Sequence, residues 1–403
     1  MIRLSSTLSD LWEEAEDYVY SFRLSMISLL ADLGGLIAGL IIARYFSLIS
    51  MYRWTISLYP GILSVRGVIN GIFAGRLTTG LHLGIIKASL RRNTYEFKIL
   101  MYSIYTLTIV SSLIMSSIVV VSNVECRVFE IALKVLTTSV ITMCLSFAIV
   151  SLLTVSASIL SMKLGLDPDY IVYPVMSTVA DIVASLCYVA VLYILRENAF
   201  FNVLLSLGVT LIAITLYLFY NYYDEDEYIE TIKESIITLT LVSAIVNLTG
   251  YILIKISEYI GRRAEVYIIY PAIIDTVGDV GSIVGSKTTT KLALGTIDPS
   301  LKALRDNMPE IVGSWLSSIL MFMLYALTSG ALTLSLDKMY SMVTVLLATN
   351  ILSISAIIML AHLIAIVAYE KGLNPDNFVN PIESTLADII ASLSLYLMLI
   401  TIS

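Results

Sequence analysis

Two stretches of this chain carry an aspartate inside an apolar run with the same neighbours around it. Pro174-x3-Thr178-x2-Asp181 and Pro381-x3-Thr385-x2-Asp388 each set a threonine three residues before the carboxylate, on the same face of a helix. An ionisable group at the centre of a bilayer costs at least ~2.5 kcal/mol, so one that persists there faces a polar cavity or binds something. Two such carboxylates at equivalent depth repel each other, and an intervening cation offsets the repulsion. Mg2+ sheds water reluctantly and prefers oxygen ligands, so a site of few carboxylates acting partly through retained waters suits it. The reading is a metal site with Asp181 and Asp388 as charged ligands and the Thr178 and Thr385 hydroxyls beside them. A pair of helix-end aspartates hydrogen-bonded to backbone is the structural alternative.

A second repeated stretch adds small and basic residues. Pro60, Gly67, Arg76, Thr78 and Thr79 correspond to Pro271, Gly278, Lys287, Thr289 and Thr290, and small residues let helices or solvent approach closely. Packing alone explains Gly71, Gly75 and Gly281. The later stretch also holds more acid: Asp279 stands where the earlier one has Val68, Asp275 where it has Ser64, and Glu383 where it has Met176. Asp279 therefore joins the candidate metal ligands, with Pro60, Gly67, Arg76, Pro271, Gly278, Lys287 and Glu383 as candidate pathway-lining residues. The surplus acids also suit a second ion or proton site. Asp32, which has Ser243 as its counterpart, is a candidate for the pore entrance.

The elements that must hold these groups are membrane helices. Of 403 residues 58% are hydrophobic and 14% charged, with a mean hydropathy of +0.89, more than a water-facing surface tolerates. A spanning window predicts eleven helices, near 22–50, 56–88, 98–122, 132–162, 171–195, 200–220, 231–256, 266–295, 311–335, 341–369 and 377–401. Tyr59 to Gly84 overlies Tyr270 to Gly295 at an offset of 211 with 10 of 26 positions identical, and Asp167 to Leu186 overlies Asn374 to Leu393 at 207 with 12 of 20. Apolar segments match by chance at roughly one position in ten, so the chain contains a duplication.

Each copy then has five spans, and an odd number would invert the second copy. The helix near 200–220, without an ionisable residue or a counterpart, restores the orientation and is expected to face lipid. The expected fold is an all-α polytopic membrane protein, two parallel five-helix repeats joined by a linker helix and related by a pseudo-two-fold axis along the membrane normal. The domains are a cytoplasmic lead-in (1–21), a first repeat (22–198), a linker helix with the acidic Asp224 to Glu227 loop (199–228) and a second repeat (229–403). A cytoplasmic N-terminus puts 13 of 24 basic residues inside, among them Lys87, Arg91 and Arg92, against nine outside and two, Arg66 and Arg76, within a span. The acidic start of the chain (Glu13, Glu14, Glu16, Asp17) is unlike a signal peptide.

Other functions fit poorly. A net charge of -7 argues against nucleic acid. Cys126, Cys144 and Cys187 form neither a CxxC pair nor a disulfide framework. His82 and His362 lack HExxH spacing, no GxSxG elbow occurs, and Gly278-Asp279 follows Thr276-Val277 rather than the glycine-x of intramembrane aspartyl proteases. The chain reads as no enzyme and needs no cofactor.

With its proline-led second helix and proline-aspartate fifth helix in two copies, the chain resembles the MgtE-type and SLC41-type magnesium transporters over nearly its whole length. The resemblance implies Mg2+ as the transported ion in the cell membrane, Asp181 and Asp388 as central ion-binding carboxylates, and a fused pair of domains that would replace a homodimer with a monomer. The family's glycine-asparagine step is Gly67-Val68 and Gly278-Asp279 here, which bears on selectivity among divalent ions. The sensing modules of the bacterial proteins have no counterpart in these 403 residues. Three functions stay open: divalent-cation transport through a pathway between the repeats, a Na+- or H+-coupled exchanger, and a membrane scaffold that transports nothing.

Overall fold

The computed structural model describes residues 2–89, 92–164, 168–261, 264–333, 336–371 and 375–402. Arg91 of the charge pattern and Asp167 and Asn374 of the duplicated segment lie outside the described residues, as do the side chains of Pro174 and Pro381. The regular elements are helices, and no strand occurs among the described residues: α1 (Ile2–Leu29), α2 (Gly35–Arg44), α3 (Phe46–Ile49), α4 (Arg53–His82), α5 (Tyr95–Ser122), α6 (Phe129–Lys163), α7 (Pro168–Leu195), α8 (Asn198–Tyr222), α9 (Asp226–Ile260), α10 (Ala264–Ala293), α11 (Met308–Thr333), α12 (Leu336–Glu370) and α13 (Pro375–Ile402). Hydrocarbon supplies no partner for backbone N–H and C=O groups, and a helix pairs its own.

Among these, eleven segments are long and apolar enough to cross a membrane. The first combines α1 and α2 through a tight 3-10 turn, Leu30–Gly34, in which Asp32 is buried. The 35-residue helices α6, α9 and α12 would span about 50 Å, well beyond the ~30 Å hydrocarbon layer, so their ends reach past it or they tilt.

Burial runs opposite to hydropathy where the chain carries polar groups. The spans in α4 and α10 are the least apolar of the eleven, with mean hydropathies of 1.3 and 1.4, yet 72% of each central window is buried. The span in α8 has a hydropathy of 2.2 and only 22% of its window buried, as a lipid-facing helix requires. Buried hydroxyls elsewhere donate to the carbonyl one turn back, Ser103 to Ile99, Thr108 to Ile104 and Ser158 to Thr154 among them, which lets a polar side chain sit in an apolar layer at little cost.

The described residues form two compact units, one of Met1–Leu36 with Ile269–Ser403, the other of Ile37–Ile268. These limits cut the chain differently from the duplication. The leading helix of each sequence copy packs with the helices of the other: α1 lies along α11, and α9 lies along α4 and α5. In the second unit the α9 contact is fixed by a buried hydrogen bond between Thr106 and Tyr228 (2.7 Å) and by Gly250, where a Cβ would collide with the Ser57 backbone. In the first unit Ser317 donates to the Phe22 carbonyl (3.1 Å), and a Cβ on Gly313 would lie 2.7 Å from the Phe22 nitrogen. Glycine at both positions lets backbones touch, the packing that stabilises helix pairs where lipid gives no hydrophobic drive.

Gly250→Val and Gly313→Val are therefore expected to separate α9 from α4 and α11 from α1. Overpacking of this kind costs ~1–3 kcal/mol. Thermal unfolding in detergent would show a lowered midpoint for both, while Gly208→Ala in α8, where nothing lies within 4 Å of the added Cβ, leaves it in place.

Candidate functional site

One contact recurs in both units and sets the geometry around each motif aspartate. In the second unit the Tyr59 hydroxyl of α4 meets Ser185 Oγ of α7 at 3.0 Å; in the first, the Tyr270 hydroxyl of α10 meets Ser392 Oγ of α13 at 2.8 Å. All four side chains are buried. Each serine lies one helical turn after its aspartate, Asp181 or Asp388, and so on the same face. The tyrosine clamp thus turns that face toward the proline-bearing helix, and both aspartates are buried there, 5% and 6% exposed. The duplicated motifs are one structural device built twice.

In the second unit the device holds a cation of its own. Arg66 of α4 is 1% exposed; its Nε donates to Ser146 Oγ of α6 (3.1 Å), and its Nη2 has no hydrogen-bond partner among the described residues. The Cys187 side chain and then the Asp181 carboxyl act electrostatically on this guanidinium. Thr178 is half-buried three residues before Asp181. One turn beyond Arg66, buried Asn70 accepts from Thr154 (3.1 Å). Gly67 has nothing within 4 Å of where a Cβ would stand, so this edge of α4 is open. Lone polar residues within a span were the available signal for Arg66 and Asn70, but periodicity could not say which neighbours they meet.

The first unit brings acids together instead. Asp32, from the 3-10 turn in the first span, accepts from Thr276 of α10 (2.8 Å), which is bonded in turn to the Tyr325 hydroxyl of α11 (2.7 Å). Asp279, one turn after Thr276, lies beside Asp32 and interacts with it. Asp32, Asp275 and Asp279 all act electrostatically on Tyr325. Glu383 of α13 is fully buried, lies against Gly281 and feels Asp279, and neither of its oxygens has a hydrogen-bond partner among the described residues. Thr385, 1% exposed, and Asp388 follow on the same helix. Gly278 leaves room for Ala387 of α13, 3.8 Å from where its Cβ would be.

Among the described residues no three His, Cys, Asp or Glu side chains are spaced to hold a bare metal ion.

Other candidates lie elsewhere. Arg76 pairs with Glu234 (2.6 Å) with both side chains substantially exposed, and with Gly75, Thr79, Glu96 and Glu227 it lines a cavity of about 230 Å3 at the end of α4. Lys287 is exposed. Thr289 and Thr290 donate to the Ser286 carbonyl within their own helix. His362 is satisfied by Thr288 and the Ser300 carbonyl. Gly281 does pack closely, against Glu383 and Ile357, whereas Gly75 has open space beside it. The three cysteines are free.

A family model for divalent cation transporters, MgtE, matches the chain twice, over residues 59–191 and 270–399. The two matches together cover more than half of it and each contains one complete tyrosine-serine clamp. No curated protein and no solved structure matches the chain.

Removing one hydroxyl of a buried clamp leaves the other without its partner, at a cost of ~1–3 kcal/mol. Tyr270→Phe and Tyr59→Phe are each expected to lower the thermal midpoint in detergent, and Tyr270→Phe with Ser392→Ala to restore part of the loss. On the loop between α5 and α6, burial and then Glu125 push the Cys126 thiol up to about 11. Maleimide labelling of Cys126 at pH 7.5 in the folded protein is accordingly expected to be slow and to accelerate on denaturation.

Proposed function

This chain belongs to the MgtE family of divalent cation transporters, and we propose that the ion it moves is hydrated Mg2+, handled by Asp181 and Asp388, the matching carboxylates of the two copies. The observation that carries this reading is the repeated clamp: the same hydrogen bond holds a buried aspartate against a proline-bearing helix in each unit. Each aspartate is an oxygen-donor carboxyl of the kind a divalent cation meets directly or through its retained waters. Thr178 and Thr385 offer hydroxyl oxygens to the water shell, and Asp279 adds charge in the second copy. The reaction is movement of an ion rather than bond chemistry, and the protein functions as a multi-pass membrane protein in contact with lipid.

A second reading is favoured by one feature, the buried Glu383 beside Asp279 and Asp32. Carboxyl groups held that way take up a proton or Na+, and a transporter that must load and unload them couples divalent movement to a monovalent gradient. Purified protein in liposomes with an internal Mg2+ dye tests both readings. Uptake is expected in the wild type and is expected to fall at least about tenfold, the loss of ~1.4 kcal/mol or more, in Asp388→Asn. No uptake in the wild type under any gradient would sink the transport reading. Collapse of the Na+ and proton gradients separates the two mechanisms: uptake that persists unchanged removes the coupled one.

A further inference from the structure

Three buried positions are apolar in the second copy and polar in the first. With the offset of 211 carried on from α4 through α5, and that of 207 carried back from α7 through α6, Arg66, Ser111 and Thr138 stand where the second copy has Val277, Phe322 and Val345. Contacts support this register: Thr106 and Ser317, which the same offset pairs, each bond the leading helix of the other copy. Val277, Phe322 and Val345 are fully enclosed, and so are Ser111 and Thr138, with Arg66 at 1% exposed. The polar groups form one run. Arg66 Nε donates to Ser146 Oγ (3.1 Å), and Thr142 and Thr138 follow at one-turn intervals on the same face of α6. The Ser139 hydroxyl donates to the Ser112 carbonyl (3.0 Å), which sets Ser111 at the level of Thr138. The run covers about 12 Å along α6. Yet Arg66 Nη2 and the hydroxyls of Ser111, Thr138 and Thr142 have no hydrogen-bond partner among the described residues. Thr349, the counterpart of Thr142, donates instead to the Val345 carbonyl of its own helix (2.8 Å).

We propose that this run is an internal hydration site: ordered water held between α5 and α6 bonds the Ser111, Thr138 and Thr142 hydroxyls and carries the hydrogen bonding to the Arg66 guanidinium. Enclosed polar groups are costly unless bonded, and several of them in one run point to a common ligand. The hydroxyls can donate and accept, whereas Nη2 only donates. Water meets both demands, and a buried water typically makes about three such bonds. The second copy shows the alternative, since a ring and two valines at the same positions need no partner. Serine in place of that ring exchanges apolar bulk for a polar group, the change that a bound water calls for. The inference holds whichever ion the protein moves. It makes the first copy wet beside the proline-bearing helix α4, and the second dry at the matching place.

Synchrotron radiolysis of the purified full chain in detergent, read by mass spectrometry, tests this, because bound water yields hydroxyl radicals where it sits. Met143 follows Thr142 and Met115 lies one turn after Ser111, while Met342 and Met321 stand equally near Val345 and Phe322, and all four are buried. Met143 and Met115 are expected to oxidise at least about threefold faster than Met342 and Met321, since a buried water beside them is the radical source. Thr138→Val with Thr142→Val keeps the side-chain shapes. This variant is expected to lose most of that difference and to show a lowered thermal midpoint, because hydroxyls bonded to water give up those bonds. Unchanged oxidation of the exposed Met51 and Met308 reports that it is folded, and either single substitution serves if the double variant is not. Equal protection of all four buried methionines in the wild type overturns the proposal. So does a folded variant whose Met143 and Met115 rates stay as they were, or one with a raised midpoint, the result for hydroxyls that had nothing to bond.

Discussion

Hydrocarbon gives a charge or a hydroxyl nothing to bond, and most of this structure follows from that one constraint. The least apolar spans, in α4 and α10, are the most enclosed, while the span in α8, free of ionisable groups, is left to the lipid. Hydroxyls that cannot find a partner across a helix interface return to their own helix one turn back. A tyrosine-serine bond fixes the helix that bears each of the two buried motif aspartates.

The same constraint explains what was legible in the sequence. The eleven spans follow from hydropathy because each must satisfy its backbone internally, whatever it packs against. The offsets of 211 and 207 already paired Tyr59 with Tyr270 and Ser185 with Ser392, so the ingredients of the clamp were visible as identities, although nothing in their spacing says that tyrosine bonds serine. Partner choice is where reading stops. Hydropathy marks α1 and α9 as spans but carries no information on their neighbours, and their exchange between the copies depends on shape at Gly313 and Gly250. Asp32 is the clearest case: a lone acid in the first span whose bonded partner, Thr276, is 244 residues away. Arg76 and Lys287 illustrate the converse, since a basic residue near a span end has the same signature whether it faces a pathway or, like Arg76, an exposed glutamate.

Duplication and divergence act on different layers of the molecule. The clamp, the proline and the motif aspartate are held in both copies, because each is part of how a polar helix is seated. The groups one turn away have drifted in opposite directions, to Arg66 in one copy and to Asp279 and Glu383 in the other. A fused pair is free to do this, whereas two identical chains must change both sides at once. The glycine of each proline-led helix is followed by Val68 in one copy and by Asp279 in the other, so local polarity is supplied unequally.

The pairing of α1 with α11 has a consequence for how the protein is made. Synthesis delivers helices to the membrane in order, at about 5–20 residues per second, so α1 enters with Asp32 roughly 10–50 s before Thr276 leaves the ribosome. The Ile37–Ile268 unit can close during that interval, while the first helix waits in lipid with an acid that has not met its partner. Assembly of this chain is thus a matter of timing as well as insertion: Asp32 meets Thr276 only once the last third of the chain has arrived.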